Sequence, residues 1–480
     1  NSFILEEPER AGAKPAISNV SISGPFMPKG PGKTPSRDRI FACTPSVASE
    51  EEPCVRKIFS GLAHRAYRRP VNDQDLNDLM PFYTDARKDN TFDFGVQSAI
   101  ERMLVSPQFL YRAERTPANT TKPFTVNDLE LASRLSFFLW SSLPDEALLD
   151  AAAAGKLEDP KALAAQVQRM LADRRSAALI DNFFGQWLML RELKNATPDP
   201  VTYPDFDDSL REAFERETRL FIEHQLREDR GVPELVTANY SFLNARLARH
   251  YNVPNVYGSR YRKVVLPNAT QRGGLLGQGS VLMVTSYPNR TSPVLRGKWL
   301  LSNMLGAAPP PPPPDVPALP ERGEGGKPAS VRELLENHRR NAVCATCHSQ
   351  MDPLGFALEH FNGIGAWRDV SEAGAPVDAS AALSNGTKFD GLVGLRTVLD
   401  GRREQFVRTV TEKLLSYALG READYYDLPA VRTIARTSAT AGYRWSAVIT
   451  GIVQSAPFQM RNAAGDPPAP AAVSTVAGGR

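Results

Sequence analysis

The stretch Cys344-Ala345-Thr346-Cys347-His348 decides how the rest of this chain is interpreted. Two cysteines separated by two residues and followed directly by a histidine form the signature for covalent attachment of a c-type haem. Residues three apart share one face of a helix, so both thiols can reach the two vinyl groups of one porphyrin. His348 then lies under the metal, where its imidazole can act as an axial ligand. We therefore expect one covalently bound haem c, with its iron, at this segment.

Three other sites could use the same pair of cysteines. They are a thioredoxin-like redox dithiol, half of a zinc site and an ordinary disulfide. A redox dithiol is expected where a strand leads into a helix, and the sequence before Cys344 lacks that pattern. A zinc site needs two further ligands at short spacing, and the flanking His338 and His360 do not have such a spacing. Haem attachment is the favoured interpretation.

The ligand on the opposite side of the iron decides what the haem can do. Methionine there suits electron transfer, whereas an open position permits peroxide or small-gas chemistry. Met460 and Met283 are both far enough away in sequence for the chain to return over the haem. Each of them is more often simply a core residue. His338 ranks after these two methionines, and an open site is the remaining alternative.

Haem propionates need charged or hydrogen-bonding partners, which arginine, tryptophan and tyrosine supply. The nearest such residues in sequence are therefore candidates for the rim of the haem. For each one, a surface charge or a core aromatic is an equally good interpretation. The candidates are Arg290, Arg296, Trp299, Trp367 and Arg368.

The composition limits the class of protein. The 480 residues include 57 basic and 54 acidic side chains, so the formal charge is only +3 and no strong field attracts nucleic acid. No apolar run approaches the roughly 18 residues that a membrane-spanning helix needs. The sequence also lacks a serine-hydrolase elbow, a His-Glu-x-x-His motif and a phosphate loop. We expect no nucleic-acid partner and no transmembrane segment in this chain.

Hydrophobic periodicity predicts a mainly α fold with several helical modules. Val55, Ile58 and Phe59 recur at helical spacing, whereas Gly and Pro interrupt the first 42 residues, in which Ile17 to Ile22 alternates like a strand. The predicted organisation is a Gly/Pro-rich, short irregular or β N-terminal segment (1–50), a first helical module (51–116), a second helical module (124–265), a cytochrome c-like haem-attachment module with a polyproline strut (266–370), a C-terminal helical module (371–463) and a flexible tail (464–480).

Local signals place several boundaries more closely. Ser330 and Glu333 form a capping-box pattern at the start of a helix that we expect to run into Cys344. Gly420 is expected to end a helix. Six consecutive prolines, Pro309 to Pro314, predict a polyproline II strut of about 19 Å, at about 3.1 Å per residue. A docking ligand for an aromatic groove is the alternative interpretation of these prolines.

Several longer stretches of the sequence together form a recognisable pattern. They are residues 40–45, 62–70, 106–110, 131–140, 290–293 and 296–299, the proline run, the haem motif with 351–356, and 418–421. On these stretches, residues 17 to 462 resemble the planctomycete-type large cytochrome c proteins, a bacterial family of successive domains of unknown function. The resemblance implies an exported haem protein whose native chain can extend upstream of Asn1. It implies no substrate, and Met283 stands where that family tends to have a small polar residue.

The other two cysteines are interpreted through the haem. Covalent haem attachment implies assembly on the exported side of a membrane, in an oxidising environment. Cys43 and Cys54 are then expected to form a local disulfide with a structural role, and two free buried thiols are the alternative. The expected location is the periplasm or the cell surface of a bacterium.

Three functions are consistent with these expectations. The first is an exported single-haem electron carrier in a large helical scaffold, docked to a redox partner protein or to a larger envelope complex. The second is a haem enzyme of peroxidase or oxidase type with an open sixth position. The third is a haem-containing structural subunit of an envelope complex. Electron transfer is favoured over a stand-alone enzyme, and no catalytic residue is assigned.

Overall fold

The structure is a computed structural model that describes residues 19–24, 26–27, 32–112, 114–117, 120, 122–266, 271–311, 330–371 and 374–463. The predicted flexible tail and the second half of the polyproline strut lie outside these residues. The chain forms two compact units, one of residues 1–63 and 72–100 and the other of residues 64–71 and 101–480. The six modules predicted from the sequence are successive stretches of the chain, and they stay a prediction.

The smaller unit begins irregularly and then becomes helical, so the mainly α prediction is confirmed and its irregular alternative holds for the N-terminal segment. The strand predicted from Ile17 is wrong for its described part, residues 19–22, where Val20 and Ile22 are exposed and no described strand pairs with them. The helices are α1 (Pro35–Ile40), α2 (Ala48–Tyr67), α3 (Asp73–Arg87) and α4 (Phe92–Leu104), of which α2 and α4 continue past the unit's boundary.

Packing in the smaller unit explains its helices. The apolar residues that predicted α2, including Val55, Ile58 and Phe59, are all buried. A disulfide joins Cys43, in the loop before α2, to Cys54 within α2, as the sequence predicted, with the Cα atoms 5.8 Å apart.

The larger unit is also mainly helical. Its helices are α5 (Pro107–Leu110), α6 (Asp128–Trp140), α7 (Glu146–Ala153), α8 (Pro160–Ala172), α9 (Ala177–Leu179), α10 (Gly185–Trp187), α11 (Asp208–Arg227), α12 (Glu234–Thr237), α13 (Ala245–His250), α14 (Gly279–Val284), α15 (Pro293–Asn303), α16 (Val331–His338), α17 (Ala342–Phe356), α18 (Gly391–Gly401), α19 (Arg403–Leu419), α20 (Leu428–Ser438), α21 (Trp445–Val453) and α22 (Ala456–Gln459). A π-helical turn, Ile180–Phe184, separates α9 from α10.

Three short antiparallel strand pairs join segments of the larger unit. They are β1 (Phe124–Thr125) with β6 (Met460–Arg461), β2 (Tyr240–Leu243) with β3 (Arg262–Val265), and β4 (Ser380–Ala382) with β5 (Lys388–Asp390). In the first pair, Thr125 lies opposite Met460 and Phe124 lies opposite Arg461. This pair connects the beginning of the unit's helical body to its last described residues.

Two helix boundaries show what local signals can and cannot predict. Gly420 ends α19 in the left-handed conformation, with φ at 68°, as predicted. Ser330 and Glu333 form the predicted capping box at the start of α16. That helix does not run into Cys344, however, because it ends at His338. A new helix, α17, begins where the side chain of Asn341 accepts a hydrogen bond from the backbone N–H of Val343.

Helices α15 and α17 cross at backbone contact, and this crossing fixes the position of α17. A Cβ atom on Gly297 would collide with the carbonyl group of Met351, and one on Gly355 would collide with the carbonyl group of Pro293. Only glycine permits two helix backbones to approach this closely. The second half of α17 packs into the main hydrophobic cluster of the unit, to which Met351 and Leu354 belong.

Candidate haem-attachment site

The motif Cys344 to His348 lies in the first two turns of α17. Both cysteines are free thiols and both are half-buried. Because they are three residues apart in a helix, their side chains share one face. Cys347 also packs against the main hydrophobic cluster. The two thiols therefore have the spacing and the access that attachment to one porphyrin requires.

His348 is held by a carboxylate one helical turn further on. Its Nδ1 lies 2.9 Å from Oδ1 of Asp352, whose side chain is fully buried. Since a carboxylate accepts hydrogen bonds, Nδ1 carries the proton and Nε2 is the nitrogen with the free lone pair. Metal-binding histidines are typically oriented by a partner on their other ring nitrogen. This arrangement leaves Nε2 of His348 available to bind an iron.

An arginine lies on the far side of the same carboxylate. Nε of Arg339 is 3.6 Å from Oδ2 of Asp352. That oxygen accepts no hydrogen bond from any described residue, so this ion pair is its charge partner. A buried carboxylate is costly unless it is paired. The row His348, Asp352, Arg339 therefore combines orientation of the imidazole with partial neutralisation of the carboxylate.

His338 lies directly beside His348. The centroids of the two rings are 4.8 Å apart in an edge-to-face contact. Burial lowers the pKa of His338, and the neighbouring His348 lowers it further. Because the rings contact each other, no porphyrin fits between them in this arrangement. His338 is thus a neighbour of His348 and does not face it across a haem.

The two candidate methionines lie in different surroundings. Met283 is buried in a hydrophobic cluster with Leu210 and Phe214, which differs from the cluster that Cys347 contacts. Met460 is 38% exposed in β6 and lines a cleft whose described lining contains no residue of α17. The assignment of either one to the iron stays a prediction.

Two of the predicted rim residues are brought together at Glu359. Arg296 is buried and donates hydrogen bonds to the backbone carbonyls of Leu358 (2.7 Å) and Phe361 (2.9 Å), in the turn after α17. Arg368 donates to the backbone carbonyl and to the side chain of Glu359, which also forms an ion pair with Arg296. Both guanidinium groups thereby stabilise the end of α17.

The other three rim candidates have separate contacts. Trp299 is buried, and its indole N–H has no hydrogen-bond partner among the described residues. Trp367 stacks in parallel on His360, with ring centroids 4.5 Å apart, and its indole donates to Asp369. The guanidinium of Arg290 lies 4.5 Å from the ring centroid of Tyr287.

The residues of α17 fit a covalently bound haem. Among the residues that the structure describes, no group of three or more His, Cys, Asp or Glu side chains could hold a bare metal ion. A haem iron needs only one or two protein ligands, because the porphyrin supplies the others. Two free thiols on one face and one oriented imidazole are the donor set for this cofactor.

Sequence reasoning missed two parts of this site. Asp352 follows His348 by four residues, which is one helical turn, so the helical spacing could have revealed it. Arg339 precedes the helix break at Asn341, and no sequence signal indicates that its side chain turns back toward Asp352.

Four family models match successive parts of the chain, each described as a protein of unknown function. They are DUF1595 over residues 54–114, DUF1592 over 126–253, DUF1588 (named PSCyt3) over 272–371 and DUF1585 over 385–458. The chain belongs to the planctomycete cytochrome c multi-domain family. The PSCyt3 match contains the whole motif from Cys344 to His348. No curated protein and no solved structure matches this member of the family.

Membership of the planctomycete cytochrome c family confirms the resemblance inferred from the sequence. The family models describe no activity, substrate or partner. In the described part of the chain, no helix combines the length and the apolar character needed to cross a membrane.

Proposed function

We propose that this family member is an exported electron-transfer protein with one haem c attached through Cys344 and Cys347. His348 is the axial ligand in this proposal. The observation that carries it is the hydrogen bond between His348 and Asp352, which leaves Nε2 free one residue after two thiols on a common helix face. When bound, haem c supplies reversible one-electron chemistry.

Each residue has a separate task. The thiols of Cys344 and Cys347 form the thioether bonds that make the attachment permanent. His348 presents Nε2 to the iron. Asp352 accepts the hydrogen bond from Nδ1, fixes the tautomer and makes the imidazole a stronger electron donor. Arg339 limits the negative charge that Asp352 brings into the site.

Location and partners follow from the chemistry of attachment. The disulfide between Cys43 and Cys54 is compatible with an oxidising compartment, which supports the periplasm or the cell surface. A carrier of 480 residues is large for a free shuttle. We therefore include a redox partner protein or a larger envelope complex in the proposal. Candidates for the opposite axial position remain Met460, Met283 and an open site.

A peroxidase-type enzyme is the second candidate, and one observation favours it. A fully buried carboxylate hydrogen-bonded to the ligand imidazole increases the negative character of that imidazole. Such an imidazole favours oxidised iron, which suits peroxide chemistry better than a methionine-ligated carrier does. The two candidate functions differ at the opposite axial position, which is occupied by methionine in the electron carrier and open in the enzyme.

The test starts from protein exported by a host that attaches haem c. Haem staining after denaturing electrophoresis should label the wild type and not the C344A/C347A variant. A reduced-minus-oxidised visible spectrum, recorded with and without carbon monoxide, then separates the two functions. A low-spin spectrum that carbon monoxide and peroxide leave unchanged supports electron transfer, and a response to both supports the enzyme. An unlabelled wild type would contradict both candidates.

A further inference from the structure

Two adjoining clefts occur in the larger unit, and Met460, a candidate for the opposite axial position, is the one residue of the proposed haem site that lines them. Their volumes are about 240 Å³ and about 590 Å³, and both are lined by Arg112, Glu114 and Arg134. We call them together the arginine cleft. Its arginines are Arg68, Arg69, Arg112, Arg115, Arg134, Arg421 and Arg461.

The arginine cleft concentrates positive charge. Seven arginines and three acidic residues line it, which is an excess of four positive charges. The whole chain has a formal charge of only +3. A concave surface lined mainly by one sign of charge focuses the electrostatic potential and attracts ions of the other sign.

Two of the three acidic residues in the arginine cleft are bound by arginine side chains, and the third, Glu130, accepts hydrogen bonds from the backbone N–H groups of Arg115 and Asn127. Glu114 accepts hydrogen bonds from Nε and from a terminal nitrogen of Arg134, the latter at 2.6 Å, and forms an ion pair with Arg461. Burial alone would raise the pKa of Glu114, but Arg134, Arg461 and Arg112 hold that pKa below its usual value. Asp427 is buried against Arg421 at 2.6 Å. These carboxylates are therefore occupied by their own partners.

Two arginines of the cleft act on each other. Arg68 is only 7% exposed and donates to the backbone carbonyls of Gln108 (2.7 Å) and Tyr111 (2.8 Å). Burial lowers the pKa of Arg68, and the positive charge of Arg112 lowers it further. A pair of guanidinium groups that repel each other marks a place where a negative group would be stabilised.

Arg112 is the arginine best placed to bind such a group. Its side chain is exposed, and its guanidinium lies 5.0 Å from the ring centroid of Phe137. A guanidinium over an aromatic face can still donate hydrogen bonds from the N–H groups along its edge. That edge matches the oxygen spacing of a carboxylate, sulfate or phosphate.

We propose that the arginine cleft binds a ligand through an oxyanion group, with Arg112 as the main contact and Arg461 as the second. Part of the lining, including Arg68, Arg134 and Arg421, comes from segments 62–70, 106–110, 131–140 and 418–421, which were part of the family pattern in the sequence. None of these segments contributes a residue to the proposed haem site. No residue of α17 lines the cleft, so we propose it as a second site, with Met460 as the one lining residue that is also an axial-ligand candidate.

Titration calorimetry of the haem-loaded full-length chain at low ionic strength tests this proposal. The probes are sodium sulfate, sodium phosphate and sodium citrate, with sodium chloride at equal ionic strength as the reference. We expect saturable binding of at least one oxyanion beyond the chloride reference. Preference for citrate would indicate a carboxylate ligand, and preference for sulfate or phosphate would indicate a tetrahedral one.

Substitutions locate the binding. R112Q should weaken it about tenfold or more, as expected for loss of a charged hydrogen-bonding partner, and R461Q should weaken it less. R249Q, which removes an exposed arginine outside the cleft, should leave it unchanged. Unchanged affinity in both R112Q and R461Q, or binding no stronger than that of chloride, would overturn the proposal. Circular dichroism and the haem band show that each variant is folded.

Discussion

The haem-attachment helix and the arginine cleft are assembled in opposite ways. The side chains of the first, from Arg339 to Asp352, lie within one short stretch of sequence. Those of the second come from segments as distant as Arg112 and Arg461. The part of the proposed haem site that lies within α17 can be found from spacing, because helical geometry is the same everywhere. A site made by tertiary convergence becomes visible only when the fold is known.

The largest expected effect separates the two regions completely. C344A/C347A should remove all covalently bound haem, because no thiol remains to form a thioether. The same variant should keep its oxyanion binding, whereas R112Q should lose most of that binding and retain its haem. Haem staining and titration calorimetry measure the two properties. Loss of both properties in either variant would show that the sites are coupled.

The next largest expected effect is on the pH dependence of stability, and it comes from two buried titratable groups in the larger unit, Glu217 and His250. Burial raises the pKa of Glu217 to about 7, and Glu217 accepts hydrogen bonds from Ser241 and Tyr251. Burial lowers the pKa of His250 to about 4, and His250 bonds to the carbonyl of Ile364. Each shift corresponds to about 3 kcal/mol of stability that depends on pH.

The two shifts have opposite signs. Between about pH 4.5 and 7 the folded state keeps a proton on Glu217 that the unfolded chain releases, so the free energy of unfolding falls as pH rises. Between about pH 4 and 6.5 the unfolded chain holds a proton on His250 that the folded state lacks, so the free energy rises. In the wild type these contributions nearly cancel.

Single substitutions should therefore reveal how each group changes the free energy of unfolding with pH. Relative to the wild type, E217Q should become more stable as pH rises through this range, and H250N should become less stable. Urea unfolding at a series of pH values measures both. Sulfate binding at the arginine cleft should follow neither slope, because guanidinium groups stay charged. Parallel pH profiles for the two variants would contradict the assignment.

A smaller expected effect tests how tightly α17 is held against α15. G355A should destabilise the larger unit by about 1–3 kcal/mol, because the added methyl group would collide with the carbonyl of Pro293. The matched control is G401A at the end of α18, where an added Cβ contacts nothing and little change is expected. Thermal unfolding monitored at the haem band compares them. Equal stability would mean that α15 and α17 can separate.

The smallest effect tests the role of Asp352. D352N should shift the ferric–ferrous equilibrium toward the ferrous state about tenfold, which is a rise of about 59 mV in reduction potential. The reason is that a neutral amide, unlike the carboxylate it replaces, does not increase the negative character of the His348 imidazole. E336Q removes an exposed carboxylate near Arg339 without touching His348, and should shift the potential much less. Equal shifts of the reduction potential in a spectroelectrochemical titration would mean that the hydrogen bond from His348 to Asp352 has no special effect on the potential.

Local features of the fold could be predicted from the sequence, whereas features that depend on tertiary packing could not. The apolar spacing of Val55, Ile58 and Phe59 identified a buried helix face, and Gly420 identified a helix end, because both signals are local. The break between α16 and α17 was missed, because the Asn341 cap competes with continued helix and the sequence pattern favoured continuation. Arg68 and Arg134 lie in stretches that the sequence pattern contains, but their meeting in one cleft depends on tertiary packing.

The pairing of β1 with β6 has a consequence for the order of events if the chain is exported as we propose. If the chain crosses a membrane from its N-terminal end, Thr125 emerges long before Met460, its partner. The thiols Cys344 and Cys347 emerge between them. Under the proposed function, both thiols are therefore accessible for haem attachment before β1 and β6 can pair.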